Sequence, residues 1–151
     1  MLVPALTAAD IMSSNVYFIM EDWSLLDASV FLEEVSHTGA PVIDHEHNLT
    51  GVLSLRDIMK GRKAGQMQIP VKAFMTRNVM TVNRDTTIRE IETIMFDRGI
   101  GHLPVVDDGN VIGIITRTDY LAYLDRGSGA GGIKLTDNRS QDLLNGGKNP
   151  E

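Results

Sequence analysis

Apolar side chains return at Ile88, Ile91, Ile94 and Met95, the spacing of one face of a helix. Thr87, with Glu90 three places on, reads as a capping box that opens it, and Gly99 as its stop. The same stripe occurs earlier at Leu25, Ala28, Phe31, Leu32 and Val35, opened by Ser24 and Asp27. After each stripe comes a short apolar run, "APVID" at 40–44 or "LPVVD" at 103–107. A polar turn follows, "DHEHN" or "DDGN", and then a second run, "LTGVLS" or "VIGIIT", which together predict an antiparallel hairpin. A last short helix is predicted from Asp57 and from Asp119. With an opening strand ahead of each stripe, the order is strand, helix, strand, strand, helix, written twice.

The duplication is visible residue by residue. Shifted by 63 positions, "DIMSSNVYFI" lies over "AFMTRNVMTV" and Pro41 over Pro104. The second turn is one residue shorter, so a shift of 62 then superposes "GVLSLRD" at 51–57 on "GIITRTD" at 113–119. A single copy would leave one face of its sheet in water, and two copies packed together can bury it. The division predicted is a first repeat over 1–60, a basic solvated linker over 61–70, a second repeat over 71–125 and a flexible Gly-rich tail over 126–151. The fold class expected is α/β (α+β), two repeats packed through their sheets.

Composition narrows the function. The 151 residues are 42% hydrophobic and 23% charged, ordinary globular proportions with length enough for a real core. A formal net charge of -6 sets the overall field against nucleic acid and anionic membrane surfaces. There is no cysteine, which excludes disulfides and thiolate metal sites. No basic segment leading a long apolar stretch opens the chain, and no apolar run is long enough to span a bilayer, so a cytoplasmic protein is expected.

The candidate chemistry sits at the two repeated junctions. Each is the end of a strand and the start of a helix, where backbone N–H groups and the positive dipole end favour phosphate. Thr116 and Ser54 place hydroxyls there, and Asp119 and Asp57 stand just inside the helices. A carboxylate can take two hydrogen bonds from the vicinal diol of a ribose. Ser, Thr and Asp are equally the favoured residues for capping a helix. Both readings stay open on the residues alone, although identical spacing in both copies favours a shared grip.

The doubled pattern "M-[ST]-x-N-V", "P-V-[IV]-D" and "G-[VI]-[LI]-[ST]-x-x-D" resembles a tandem pair of CBS domains, the repeats that form a Bateman module. The resemblance implies two clefts between the repeats, related by a pseudo-twofold axis. It implies ligands such as AMP, ADP, ATP or S-adenosylmethionine, a regulatory and non-catalytic role without a catalytic cofactor, and assembly as a homodimer. One cleft would use Asp119, Thr116 and Ile114 with Met12, Tyr17, His37 and Thr38. The other would use Asp57, Ser54 and Val52 with Met75, Met80, Ile100 and Gly101. Arg117 follows Thr116 directly, whereas Arg56 directly precedes Asp57, and His102 falls where such domains place a basic phosphate contact, with Gly39 as its counterpart. Unequal clefts are therefore expected, the Asp119 cleft the tighter. The second copy is also similar to the CBS pair of proteins joining a DHH-type phosphoesterase to a tRNA nucleotidyltransferase or poly(A)-polymerase-like domain. On that reading the chain is an excised segment. A structural dimerisation module is the third possibility.

Other clusters point to bland roles. "DHEH" at 44–47 collects metal-ligand types on what reads as a solvated hairpin tip. No Cys, no Gly-x-Ser-x-Gly and four scattered histidines leave no nucleophile with an oriented base, so no metal site and no catalytic site is assigned.

Overall fold

The computed structural model describes residues 5–127. The chain divides into two compact units, residues 1–119 and 120–151. The expected Gly-rich tail lies almost wholly outside the described residues.

Two small sheets form the first unit. In the first repeat β1 (Ile19–Met20) runs parallel to β2 (Gly39–Ile43), which pairs antiparallel with β3 (Leu49–Ser54). In the second, β4 (His102–Asp107) pairs antiparallel with β5 (Asn110–Thr116). The opening strand expected there contracts to a single parallel bridge, Val82 to Val105. Otherwise the copies agree in detail. Pro41 faces Val52 as Pro104 faces Ile114, and each hairpin slips register at the same place, Val42/Ile43 and Val105/Val106. Asp108 and Gly109, at φ 53° and 83°, make the tight two-residue turn between β4 and β5.

The helices start where their caps dictate. The hydroxyl of Ser24 accepts from the Asp27 N–H at 3.0 Å and opens α2 (Leu25–Glu34). Thr87 and Glu90 form the reciprocal box that opens α4 (Ile88–Arg98), with α1 (Ala8–Ile11) and α3 (Leu55–Lys63) earlier in the chain. Gly99 closes α4 at φ 63°, and Ser36, its counterpart behind α2, holds φ 59° despite its side chain. Leu25, Ala28 and Leu32 of α2 are buried on Ile19, Val42 and Leu53, while Phe31 packs against the ring of Trp23 at 5.4 Å. In α4 only Ile88 and Ile91 are buried, so its stripe is half used.

The repeats are laced together by their leading segments. Ala8 and Ala9 N–H donate to the carbonyls of Thr86 and Arg84, at 2.8 and 3.0 Å. In the mirror arrangement Val71 and Lys72 N–H donate to Trp23 and Glu21, at 2.7 and 2.9 Å. Ala8 and Val71 are wholly buried as a result, and Val71 belongs to the core of the first repeat. Burying the backbone of one copy's entry thus requires the other copy to supply its acceptors.

The same lacing reaches the linker. α3 runs to Lys63, and Leu25 and Leu26 N–H donate to the carbonyls of Ile69 and Met67, at 3.0 and 2.9 Å. The largely exposed residues 61–70 are therefore tied to the start of α2.

α5 (Arg117–Gly127) opens in the first unit. Its remainder, with the rings of Tyr120 and Tyr123 5.8 Å apart, is the described part of the second.

Candidate functional site

Each strand-to-helix elbow meets the leading segment of the opposite repeat. Ser13 and Ile114 exchange backbone hydrogen bonds at 2.8 and 2.9 Å, and Thr76 and Val52 exchange theirs at 2.9 and 2.9 Å. Glycine makes the approach possible. A Cβ at Gly51 would lie 2.8 Å from Cγ of Met75, and one at Gly113 would lie 2.8 Å from Cγ of Met12. Two meeting points of the repeats result. Ile114, Thr116, Asp119 and Met12 meet at one, and Val52, Ser54, Asp57 and Met75 at the other.

At the elbows the aspartates do cap their helices. Asp57 Oδ2 accepts from the Ser54 N–H at 2.9 Å and from its hydroxyl at 3.1 Å, and Asp57 is 7% exposed. Asp119 Oδ2 accepts from the Thr116 N–H at 2.8 Å and from its hydroxyl at 3.0 Å. Each hydroxyl proton is therefore engaged by the neighbouring carboxylate. The cap uses one oxygen of each carboxylate, and the two Oδ1 atoms fare differently. Asp119 Oδ1 accepts from the hydroxyl of Ser13, across the repeats, at 2.8 Å. Among the described residues no such bond reaches Asp57 Oδ1, and Thr76 stands where Ser13 does.

Basic side chains gather where the two elbows approach, Gly39 pairing with Ser54 and His102 with Thr116. The ring of His102 rests on Gly39, where a Cβ would lie 2.6 Å from Cε1 and 2.7 Å from Nε2. Its Nε2 is 3.3 Å from the hydroxyl of Thr38. The Arg117 guanidinium lies against Gly101, again at a position where a side chain would collide. Burial, then the charge of Arg117, then His37 hold the pKa of His102 below the usual histidine value. His37 in turn packs edge-on to Tyr17, with centroids 5.3 Å apart.

Among the remaining candidates, Gly101, expected beside Asp57, lies under the Arg117 guanidinium. Met80 and Ile100 are half-buried on the loops flanking α4. Arg56 is exposed and lines a groove of about 1040 Å³ between α2 and α3, with Leu26, Leu55, Met59 and Lys60. At the "DHEH" tip, Asp44 accepts from the N–H groups of Asn48 and Glu46, both at 2.9 Å, which lowers its pKa. His45 Nε2 sits 2.7 Å from Asp22, so the tip is a hydrogen-bonded turn. Among the described residues no group of three or more His, Asp or Glu is placed to hold a metal ion, and no helix is long and apolar enough to cross a membrane.

The CBS domain family model matches residues 8–63 and again 71–126. The chain is 35% identical over 123 residues to the uncharacterized protein MJ1232 of Methanocaldococcus jannaschii, covering 81% of this chain and 40% of that one. It is 34% identical over 116 residues to the A-adding tRNA nucleotidyltransferase of Aquifex aeolicus, covering 77% of this chain and 14% of that enzyme. The chain thus spans well under half of either relative. Among solved structures, the CBS domain pair of protein MJ0100 in complex with 5′-methylthioadenosine and S-adenosyl-L-methionine superposes with a TM-score of 0.75 at 28% identity, covering 83% of this chain and 99% of that one. CBSX2 in complex with AMP superposes with a TM-score of 0.72, also at 28% identity, covering 82% and 99%.

Proposed function

Since the chain belongs to the CBS domain family as a tandem pair, we propose that it is a non-catalytic, cytoplasmic regulatory module that senses adenine nucleotides in the clefts between its repeats. The observation that carries this reading is the division of labour within each elbow carboxylate. Oδ2 closes the helix cap in both copies, which leaves Oδ1 as the atom that a ribose diol would engage, at Asp119 by displacing the Ser13 hydroxyl. Capping and grip are thus compatible roles of one side chain. Similar CBS pairs hold AMP, or 5′-methylthioadenosine and S-adenosyl-L-methionine. A ligand there touches both repeats at once, so its binding changes the free energy of the lacing between them. That is how occupancy would be passed to a partner or a fused enzyme.

The test is a thermal-shift panel with AMP, ADP, ATP and S-adenosylmethionine on the wild type and on the Asp57→Ala, Asp119→Ala double variant. A ligand at 100 times its Kd stabilises by about 2.7 kcal/mol. The wild type should shift with at least one ligand and the double variant with none. Melting that ignores all four would leave only a structural pairing module.

The relationship to A-adding tRNA nucleotidyltransferases favours a second reading, in which the module is a segment of such an enzyme. Salt-sensitive tRNA binding by the isolated chain would support an RNA-handling part, and its absence would leave a sensing role within that enzyme. Homodimerisation belongs to the same proposal. It is supported by the exposed Leu26, Val30, Leu55 and Met59 on the outer faces of α2 and α3, and sedimentation velocity at micromolar concentration tests it.

A further inference from the structure

The groove of about 1040 Å³ between α2 and α3 combines two chemistries. Leu26, Leu55, Ile58, Met59 and Met67 give it apolar surface, and Leu26, Leu55 and Met59 are 43%, 49% and 61% exposed. Arg56, Lys60, Arg62 and Lys63 give it a cationic rim, and no acidic residue lines it. Among the described residues the ion pairs are His45 with Asp22 and Arg84 with Asp107, so none engages this rim.

The fold does not require the rim. Under the repeat shift its four cations fall on Thr118, Ala122, Leu124 and Asp125, so the second copy builds the same helix without them. Helix electrostatics account for only part of the set. Lys60, Arg62 and Lys63 stand in the last turn of α3, where the dipole favours cations, but Arg56 stands in the first turn, where it does not. Exposed apolar surface beside unpaired charge of one sign, on a chain of net charge -6, is a surface shaped for a partner.

The lining selects the partner. Nucleic acid would use the cations, but its bases would find no aromatic ring to stack on. A flat bilayer does not enter a recess between two helices. Residues 128–151 balance Lys134, Arg139 and Lys148 against Asp137, Asp142 and Glu151, and so bring no excess of acid. A second copy brings the same rim and sets cation towards cation. An acidic amphipathic helix meets both chemistries. Its apolar stripe would pack on Leu26, Leu55 and the adaptable Met59. Its carboxylates would reach Arg56, Lys60 and Lys63, which recur at i, i+4 and i+7 along α3.

We infer that this groove docks an acidic amphipathic helix of a partner protein. The inference concerns a different face from the elbows and stands whether or not nucleotides bind there. Leu26, Leu55 and Met59 also belong to the face proposed for a second copy, so the two occupants compete for it.

The experiment is selection of a displayed library of randomised helical peptides against the full chain, each about 13 Å or longer to match the nine residues of α3. The winning peptide is then titrated by fluorescence anisotropy into the wild type, Met59→Asp and the Lys60→Glu, Lys63→Glu double variant. Winners should carry Asp or Glu beside apolar residues spaced i, i+4, and either variant should weaken them by about tenfold or more. A winner remade with Lys in place of its carboxylates should lose the wild type and recover on the double variant. All three substituted residues are exposed, so thermal melts should stay near the wild type and separate lost docking from lost fold. No enriched peptide, basic winners, or winners indifferent to both variants would overturn the inference. A wild-type dimer that takes no peptide and dissociates in Met59→Asp, read by sedimentation velocity, overturns it in favour of a second copy. An RNA oligonucleotide bound more tightly than any peptide, and lost in the double variant, overturns it in favour of nucleic acid.

Discussion

Replacing each elbow aspartate by alanine separates what the carboxylate does for folding from what it does for a ligand. In Asp57→Ala the loss is the helix cap, about 1 kcal/mol. In Asp119→Ala the cap goes together with the 2.8 Å bond from Ser13. A hydrogen bond to a charged group adds about 1.5 kcal/mol or more, so the total is roughly 2.5 kcal/mol. At about 4 °C per kcal/mol for a domain of this size, the expected drops in Tm are about 4 °C and about 10 °C. Urea melts without ligand measure the difference, and Ser13→Ala should reproduce the part of it due to the cross-repeat bond. Repeating the melts with saturating AMP should raise the wild type by about 2.7 kcal/mol at 100 times the Kd, and Asp119→Ala by far less. Equal destabilisation in both variants would refute the cross-repeat bond. Unchanged AMP stabilisation in Asp119→Ala would refute the grip.

Three further outcomes follow from the same geometry. The depressed pKa of His102 means that the unfolded chain takes up a proton near pH 6.5 while the folded chain resists it, so stability should fall as pH drops through and below 6.5. His102→Gln should flatten that slope in urea titrations at stepped pH, whereas AMP affinity should rise over the same interval, because a phosphate favours the protonated ring. Ser36→Gly should stabilise by about 1 kcal/mol, since only a left-handed residue fits at φ 59°, and Gly99→Ala should destabilise by a similar amount, both read from denaturation midpoints. Gly39→Ala would place a methyl 2.6 Å from the His102 ring and should cost about 1–3 kcal/mol, with a matching loss of AMP affinity by titration.

Much of this architecture was legible in the residues because it is local. Capping pairs such as Thr87 with Glu90, the tight turn at Asp108 and Gly109, and the stripes of α2 and α4 are set by neighbours within a few positions. The repeat shift also located both elbows. What stayed hidden is non-local backbone pairing. Nothing in the spelling of residues 71–72 or 8–9 shows which carbonyls of the other copy they meet, since backbone bonds are indifferent to side-chain type. The contraction of the second opening strand to one bridge at Val82 is similarly invisible, because "VMTV" reads as strand as readily as "VYFI". His102 shows the boundary well. Its pairing with Gly39 in the repeat shift was apparent, but that the ring would lie on that very glycine depends on the packing of β2 on β4.

The most direct measurement is a crystal structure of the chain grown with AMP. The account predicts nucleotide bound between the repeats, its ribose hydroxyls on Oδ1 of an elbow aspartate, at Asp119 in place of the Ser13 hydroxyl. A nucleotide bound in the outer groove between α2 and α3, or one whose ribose touches neither elbow aspartate, would contradict it.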